Sequence, residues 1–192
     1  MQQPPFADSA DFQECFGVTT TRTDMDLDSA SAAIRGYCRW MIWPATTETL
    51  ILDGPGTDVL MIPTMNLTAI TELIETPRGP SPTPVTLDVT ELEWSAAGMV
   101  WRTDSTWGPY TSFGGFGGIW TSRARGINIT ITHGYDDVPA DIRRLTLDLA
   151  RRSALNPTAL SSQQVGARME SYAGRGILLD EKSMLDTYRR LV

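Results

Sequence analysis

His133 is the single histidine of the chain and stands in Thr132-His-Gly-Tyr135, with Asp136 and Asp137 directly behind it. An imidazole beside carboxylates is half of a general-base arrangement, which also needs a nucleophile within hydrogen-bond reach. No serine or cysteine stands in a Gly-x-Ser-x-Gly turn, so His133 reads as a structural histidine at a strand–helix junction. Asp24, Asp26 and Asp28 alternate as at the start of a calcium loop. Such a loop needs glycine at its sixth place and glutamate at its twelfth, where this chain has Ser29 and Arg35. The three aspartates read instead as a solvated loop that caps the next helix. Glu91 and Glu93 fall on one face of an expected strand, as two glycosidase carboxylates would, but two acids on an exposed face are the commoner arrangement. Phe113-Gly-Gly-Phe-Gly-Gly118 lacks the Lys-Ser/Thr of a phosphate cradle, and Ile119-Trp120 does not open a helix. Cys15 and Cys38 have no CxxC spacing and read as small buried hydrophobes. The residues therefore predict no catalytic activity, no metal and no cofactor.

The positions that hold these residues follow from periodicity. A short helix over 6–16 is stopped by Gly17, and Thr19–Asp28 reads as a loop. A helix over 29–42, capped by Asp28 or Ser29, carries the stripe Ala30, Ala33, Ile34, Tyr37, Cys38 and Met41 and ends ahead of Pro44. Thr49–Asp53 and Asp58–Ile62 read as a hairpin around Gly54-Pro-Gly-Thr57. Strands are expected at Leu67–Glu75 and Val85–Glu93, a hairpin at Trp94–Thr103, and a strand at 126–132. Residues 104–120, with five glycines, two tryptophans, a tyrosine and two phenylalanines, read as a functional loop with aromatic anchors. Ala140–Leu155 is a helix led by Pro139 and ended before Asn156-Pro157. Its stripes, Ile142/Leu145/Leu149/Ser153 and Leu147/Ala150/Ala154, predict packing on two sides, one against a neighbouring subunit. A strand over Gln163–Tyr172 and a final helix over Leu179–Leu191 complete the chain. The fold class expected is α+β: a helical bundle with a β-rich insertion between its two main helices. The divisions are 1–47, an N-terminal arm with the first core helix; 48–132, the insertion; and 133–192, the second core helix, a strand or hairpin, and a C-terminal docking helix.

Composition narrows the function class. A chain of 192 residues can bury roughly 70% of its unfolded surface, so its core needs no metal or disulfide. No apolar run approaches the roughly 20 residues needed to cross a bilayer, and the start has neither the basic nor the apolar segment of a secretory signal. Synthesis in the cytoplasm and no membrane association are the expectation. The net charge of −7 excludes a global basic footprint for nucleic acid. The charge is uneven: residues 1–120 carry 15 acids and 5 bases, whereas residues 121–192 carry 8 acids and 11 bases.

Two stretches together resemble the head-to-tail adaptor (head-tail connector) proteins of tailed phages, particularly those of actinobacterial siphophages. One is Ala30-Ser-Ala-Ala-Ile-Arg-Gly-Tyr-Cys-Arg-Trp40; the other runs from Ile127 to Pro157 and includes Thr132-His-Gly-Tyr135, Val138-Pro-Ala-Asp-Ile142 and Asn156-Pro157. Gln164-Val-Gly-Ala-Arg-Met-Glu-Ser-Tyr-Ala173, followed by the terminal Leu-x-x-Tyr-Arg of Leu185–Arg189, is a further echo. The resemblance covers about 90 residues at the two ends of the chain and leaves 48–120 and the N-terminal arm without a counterpart. It implies a structural virion protein without catalytic residues. Such a protein forms a dodecameric ring beneath the portal protein, extends the DNA channel without specific DNA binding, and receives the head-tail stopper or tail-completion protein.

Under that resemblance Leu185, Tyr188, Arg189, Arg190 and Leu191 are candidates for the portal interface. Leu147, Ala150, Arg151, Ala154, Trp107, Phe113 and Phe116 are candidates for contacts between subunits. Truncation at Asp186 is expected to spare the fold and abolish portal attachment. The acidic residues 1–120 are then candidates for channel and outer walls, and the basic end for the portal side. The alternative is a small β-rich ligand- or carbohydrate-binding module, suggested by Trp94, Trp101, Trp107 and Trp120.

Overall fold

The computed structural model describes residues 3–102, 118–156, 162–165, 168–171 and 176–190, with the backbone alone for 162–165 and 168–171. The chain divides into two compact units, one built from residues 44–136 and the other from 1–43 together with 137–192.

Residues 44–136 are strand-rich. Their strands are β1 (Thr46–Leu52), β2 (Val59–Met61), β3 (Leu67–Glu75), β4 (Val85–Leu87), β5 (Leu92–Trp94), β6 (Met99–Arg102) and β7 (Ile127–His133). One antiparallel sheet has the order β1-β7-β3-β4 and the other β2-β6-β5. In β7, alternation sends Ile127, Ile129, Ile131 and His133 inward, while Asn128, Thr130 and Thr132 face outward. The three isoleucines join Leu60, Ile62, Leu67, Leu73, Val100 and Trp120 in the core. On the other face, Thr47 and Thr49 of β1 meet Thr132 and Thr130 of β7 in hydroxyl pairs at 2.8 and 3.0 Å. The two ends of the unit meet: the Ala45 N–H donates to the Tyr135 carbonyl at 2.9 Å.

Two local expectations fail here for identifiable reasons. Gly54-Pro-Gly-Thr57 does not join a hairpin, because β1 pairs with β7 and β2 with β6. The turn packs on the chain at 121–123 instead: Gly54 donates to the Arg123 carbonyl and Gly56 to the Thr121 carbonyl. A Cβ on Gly54 would lie 2.0 Å from the Thr121 carbonyl oxygen, so only glycine fits this approach. The expected strand Val85–Glu93 is broken by Asp88. Its carboxylate accepts the Thr90 N–H at 2.9 Å and the Thr90 hydroxyl at 2.7 Å, winding Val89–Glu91 into a 3₁₀ turn.

The other unit holds α1 (Ser9–Phe16), α2 (Thr23–Cys38), α3 (Ala140–Leu155), the hairpin of β8 (Ser162–Val165) and β9 (Arg168–Ser171), and α4 (Leu179–Leu185). Asp8 caps α1 reciprocally with Asp11, and Gly17 closes it at φ 72°. The helix expected at 29–42 begins earlier, at Thr23, because the alternating acids are its first turn and not a loop. Asp24 and Asp26 sit where the helix dipole favours negative charge, and the Thr23 hydroxyl accepts the Thr20 N–H at 2.8 Å. It also ends earlier than expected, at Arg39 with φ 64°, well before Pro44. Its buried stripe Thr23, Asp26, Leu27, Ala30, Ser31, Ile34 and Cys38 packs on α3, which spans its expected residues. The final helix stops at Leu185, and turns continue to Tyr188. The fold is thus mixed α+β, with four helices, two antiparallel sheets and a hairpin among the described residues.

Candidate assembly surfaces

The C-terminal segment is tied down residue by residue within the helix-rich unit. Leu185 is fully buried. Tyr37 of α2 donates to the Asp186 carboxylate at 2.6 Å, and that bond to an anion, more than burial, raises the Tyr37 pKa. The Trp40 indole N–H donates to the Tyr188 carbonyl at 2.6 Å. The Tyr188 hydroxyl reaches both oxygens of Asp141 in the first turn of α3, at 3.0 and 2.8 Å. The Arg189 guanidinium lies 5.1 Å from the Tyr37 ring centroid, and the Arg190 N–H donates to the Cys38 carbonyl at 3.2 Å. Upstream, Glu181 accepts from Arg152 at 2.8 Å and from the Leu178 N–H at 2.7 Å.

This places the five portal-interface candidates differently. Leu185 and Tyr188 hold the segment to its own unit. Arg189 and Arg190 keep part of their side chains exposed, and Leu191 lies outside the described residues. The anchors Tyr37, Trp40 and Asp141 were missed by sequence reasoning. In the sequence Tyr37 falls in an apolar stripe, and nothing in its spacing points to a carboxylate 149 positions later.

The inter-subunit candidates also separate. Leu147 and Ala150 are buried within the chain itself, so these two residues of the second stripe present no surface to a neighbour. Ala154 is half-buried. Arg151 is exposed, with its guanidinium 4.6 Å from the Phe16 ring of α1. Trp107, Phe113 and Phe116 lie outside the described residues. Of the other tryptophans in the strand-rich unit, Trp120 is buried, Trp101 half-buried and Trp94 40% exposed.

The residues weighed for chemistry are occupied structurally. His133 is 2% exposed in its side chain, and its Nε2 lies 2.9 Å from Glu48 on the neighbouring strand. A ring so enclosed presents no face to a substrate. The three alternating aspartates diverge: Asp24 is exposed, Asp26 is buried and accepts the Ser153 hydroxyl at 2.8 Å, and Asp28 is half-buried. Among the described residues, no three His, Cys, Asp or Glu side chains converge as metal ligands would. Glu91 belongs to the 3₁₀ turn and Glu93 to β5, so they do not share one strand face. Cys38 is buried, which pushes its thiol up to about 11, whereas Cys15 is exposed.

No family model matches the sequence, and no curated protein sequence matches it. Two solved structures share the fold across both units. One is a chain from the neck of a native GTA particle computed with C12 symmetry, with TM-score 0.55 and 16% identity over 95% of this chain and 88% of that one. The other is a chain from the neck of an empty GTA particle computed with C6 symmetry, with TM-score 0.51 and 17% identity over 95% and 89%. At these identities the likeness is one of fold: the chain folds as neck chains of that particle do.

Proposed function

We propose that this chain is a structural neck protein of a phage-like particle: a head-to-tail adaptor of the actinobacterial siphophage type. In this reading it forms a dodecameric ring beneath the portal, extends the DNA channel and receives the stopper, and it catalyses no reaction. The observation that carries the reading is the whole-chain fold likeness to gene transfer agent neck chains, one of them from a particle computed with C12 symmetry. The motifs at the two chain ends support it independently of the fold.

Charge supports the channel role. The strand-rich unit has ten acids against four bases. A surface of that sign repels the phosphate backbone, so DNA passes without sticking. Arg189 and Arg190 are the candidates for ion pairs at the rim of a portal contact, held in place by the buried Leu185 and the bonded Tyr188.

Electron microscopy of the purified chain mixed with its cognate portal tests the proposal. A twelvefold ring on the portal is expected. Absence of a ring, with tight monomeric retention on a carbohydrate column, would replace this reading by that of a ligand-binding module.

A further inference from the structure

The helix-rich unit is close to neutral, with thirteen acids against twelve bases, yet its charges are sorted. Residues 1–43 carry six acids and three bases, whereas 137–192 carry seven acids and nine bases. Two exposed features concentrate that sorting.

The first is a ridge. Phe16, the last residue of α1, lies beneath two guanidiniums from α3, with Arg151 at 4.6 Å and Arg144 at 5.9 Å from the ring centroid. The two arginines are seven residues apart, two turns along one face of α3. Arg144 is 62% exposed in its side chain and pairs with Asp148 at 3.1 Å, while Arg151 is exposed. The apolar neighbours in sequence are also open, with Val18 62% and Leu155 65% exposed. Arginine stacked on an aromatic ring beside exposed aliphatic surface is the composition of an interface anchor.

The second is a hollow of about 450 Å³ lined by Pro4, Pro5, Asp8, Asp24, Leu27 and Asp28. Its walls are set by contacts of the N-terminal arm. Arg35 donates to the Pro4 carbonyl and stacks on Phe6 at 4.2 Å, and the Phe6 N–H donates to the buried Ser31 hydroxyl at 3.0 Å. Three carboxylates, of which Asp8 also caps α1, and an apolar floor are opposite in charge to the ridge and complement its apolar part.

The two features are unlike and belong to one unit, so a contact between them on two copies is heterologous, the kind that closes into rings when the rotation permits. Resting on the neck reading for the ring itself, we propose that the Arg144–Phe16–Arg151 ridge of one copy seats in the Asp8–Asp24–Asp28 hollow of the next.

Sedimentation velocity on four proteins tests this contact: wild type, Arg151→Glu, Asp24→Lys and the double variant. Both positions are exposed, and thermal melts verify that each variant folds. Wild type should associate with concentration and weaken as salt rises. Each single reversal should weaken association by about tenfold or more, and the double variant should recover most of the loss, because the pair regains opposite signs. Folded single variants that associate like wild type, or a double variant no better than either single, would overturn the contact. So would a wild type that remains monomeric at low salt up to about millimolar concentration. The neck reading is scored separately, by rings on portals. A ring that Arg151→Glu forms as well as wild type removes this contact and leaves that reading standing. Wild type that forms no ring removes the neck reading, while the sedimentation series still decides the contact.

Discussion

Glu75 Oε2 lies 2.6 Å from Arg102 Nη1 in the interior of the strand-rich unit, and Glu75 Oε1 accepts the Thr121 backbone N–H at 2.5 Å. One carboxylate therefore joins the end of β3, the end of β6 and the chain leading into β7. Arg102 also lies 5.4 Å from the Trp120 ring, whose indole N–H donates to the Asp58 carbonyl at 3.1 Å. Both charges are largely withdrawn from water, so their value depends on remaining paired.

Arg102→Met strands the Glu75 carboxylate and should cost about 3–5 kcal/mol. Glu75→Leu combined with Arg102→Met should cost less than Arg102→Met alone, since no buried charge is left unmatched. Urea denaturation of the two single variants and the double variant measures the coupling.

Tyr188→Phe removes a donor to a charged acceptor and should cost about 1.5–3 kcal/mol. Removal of residues 186–192 takes away the partners of Tyr37, Trp40 and Asp141 as well, and should lower the melting temperature markedly. These bonds argue against the sequence-based expectation that this truncation spares the fold. A melt unchanged from wild type would show that the segment contributes nothing to stability.

The two thiols should react at different rates. Cys15 is exposed and should be modified promptly by a disulfide reagent at neutral pH. Cys38 should wait for unfolding, since burial raises its pKa from 9.0 to about 11. The folded chain keeps that proton where the unfolded chain loses it. The Cys38 contribution is therefore level below about pH 9 and falls as pH rises toward 11. A Cys38→Ala variant should lose that slope in alkaline denaturation curves.

Two glycines with positive φ should respond unequally to alanine. Gly17, at φ 72°, has open space around a new Cβ, so Gly17→Ala carries only the left-handed penalty of about 1–2 kcal/mol. Gly98, at φ 80°, would place its Cβ 2.6 Å from the Ile62 carbonyl oxygen. Gly98→Ala should cost more than Gly17→Ala, and thermal melts of the two variants give the difference.

Local signals carried much of the fold. The helix Ala140–Leu155 and the strand Leu67–Glu75 occupy their expected residues because periodicity and terminators agree there. Expectations failed where a distant partner decided the outcome. The turn at Gly54 is set by Thr121 and Arg123, and the buried Asp26 carboxylate is satisfied by the Ser153 hydroxyl, which donates to it from 127 residues later. Leu147 looked like one edge of an unpartnered stripe, and only tertiary packing shows that the chain buries it. Arg151 was legible as a surface candidate; its position over Phe16, 135 residues earlier, was not.

The hydrogen bond between Ala45 and Tyr135 has a consequence for how such a chain changes over generations. The 93 residues from 44 to 136 leave and return at one point. A segment whose two ends touch can be gained, lost or exchanged in a gene as a single cassette, because the flanking chain has only a short gap to close. The strand-rich unit can thus be varied in outline and charge without altering the chain on either side of that point.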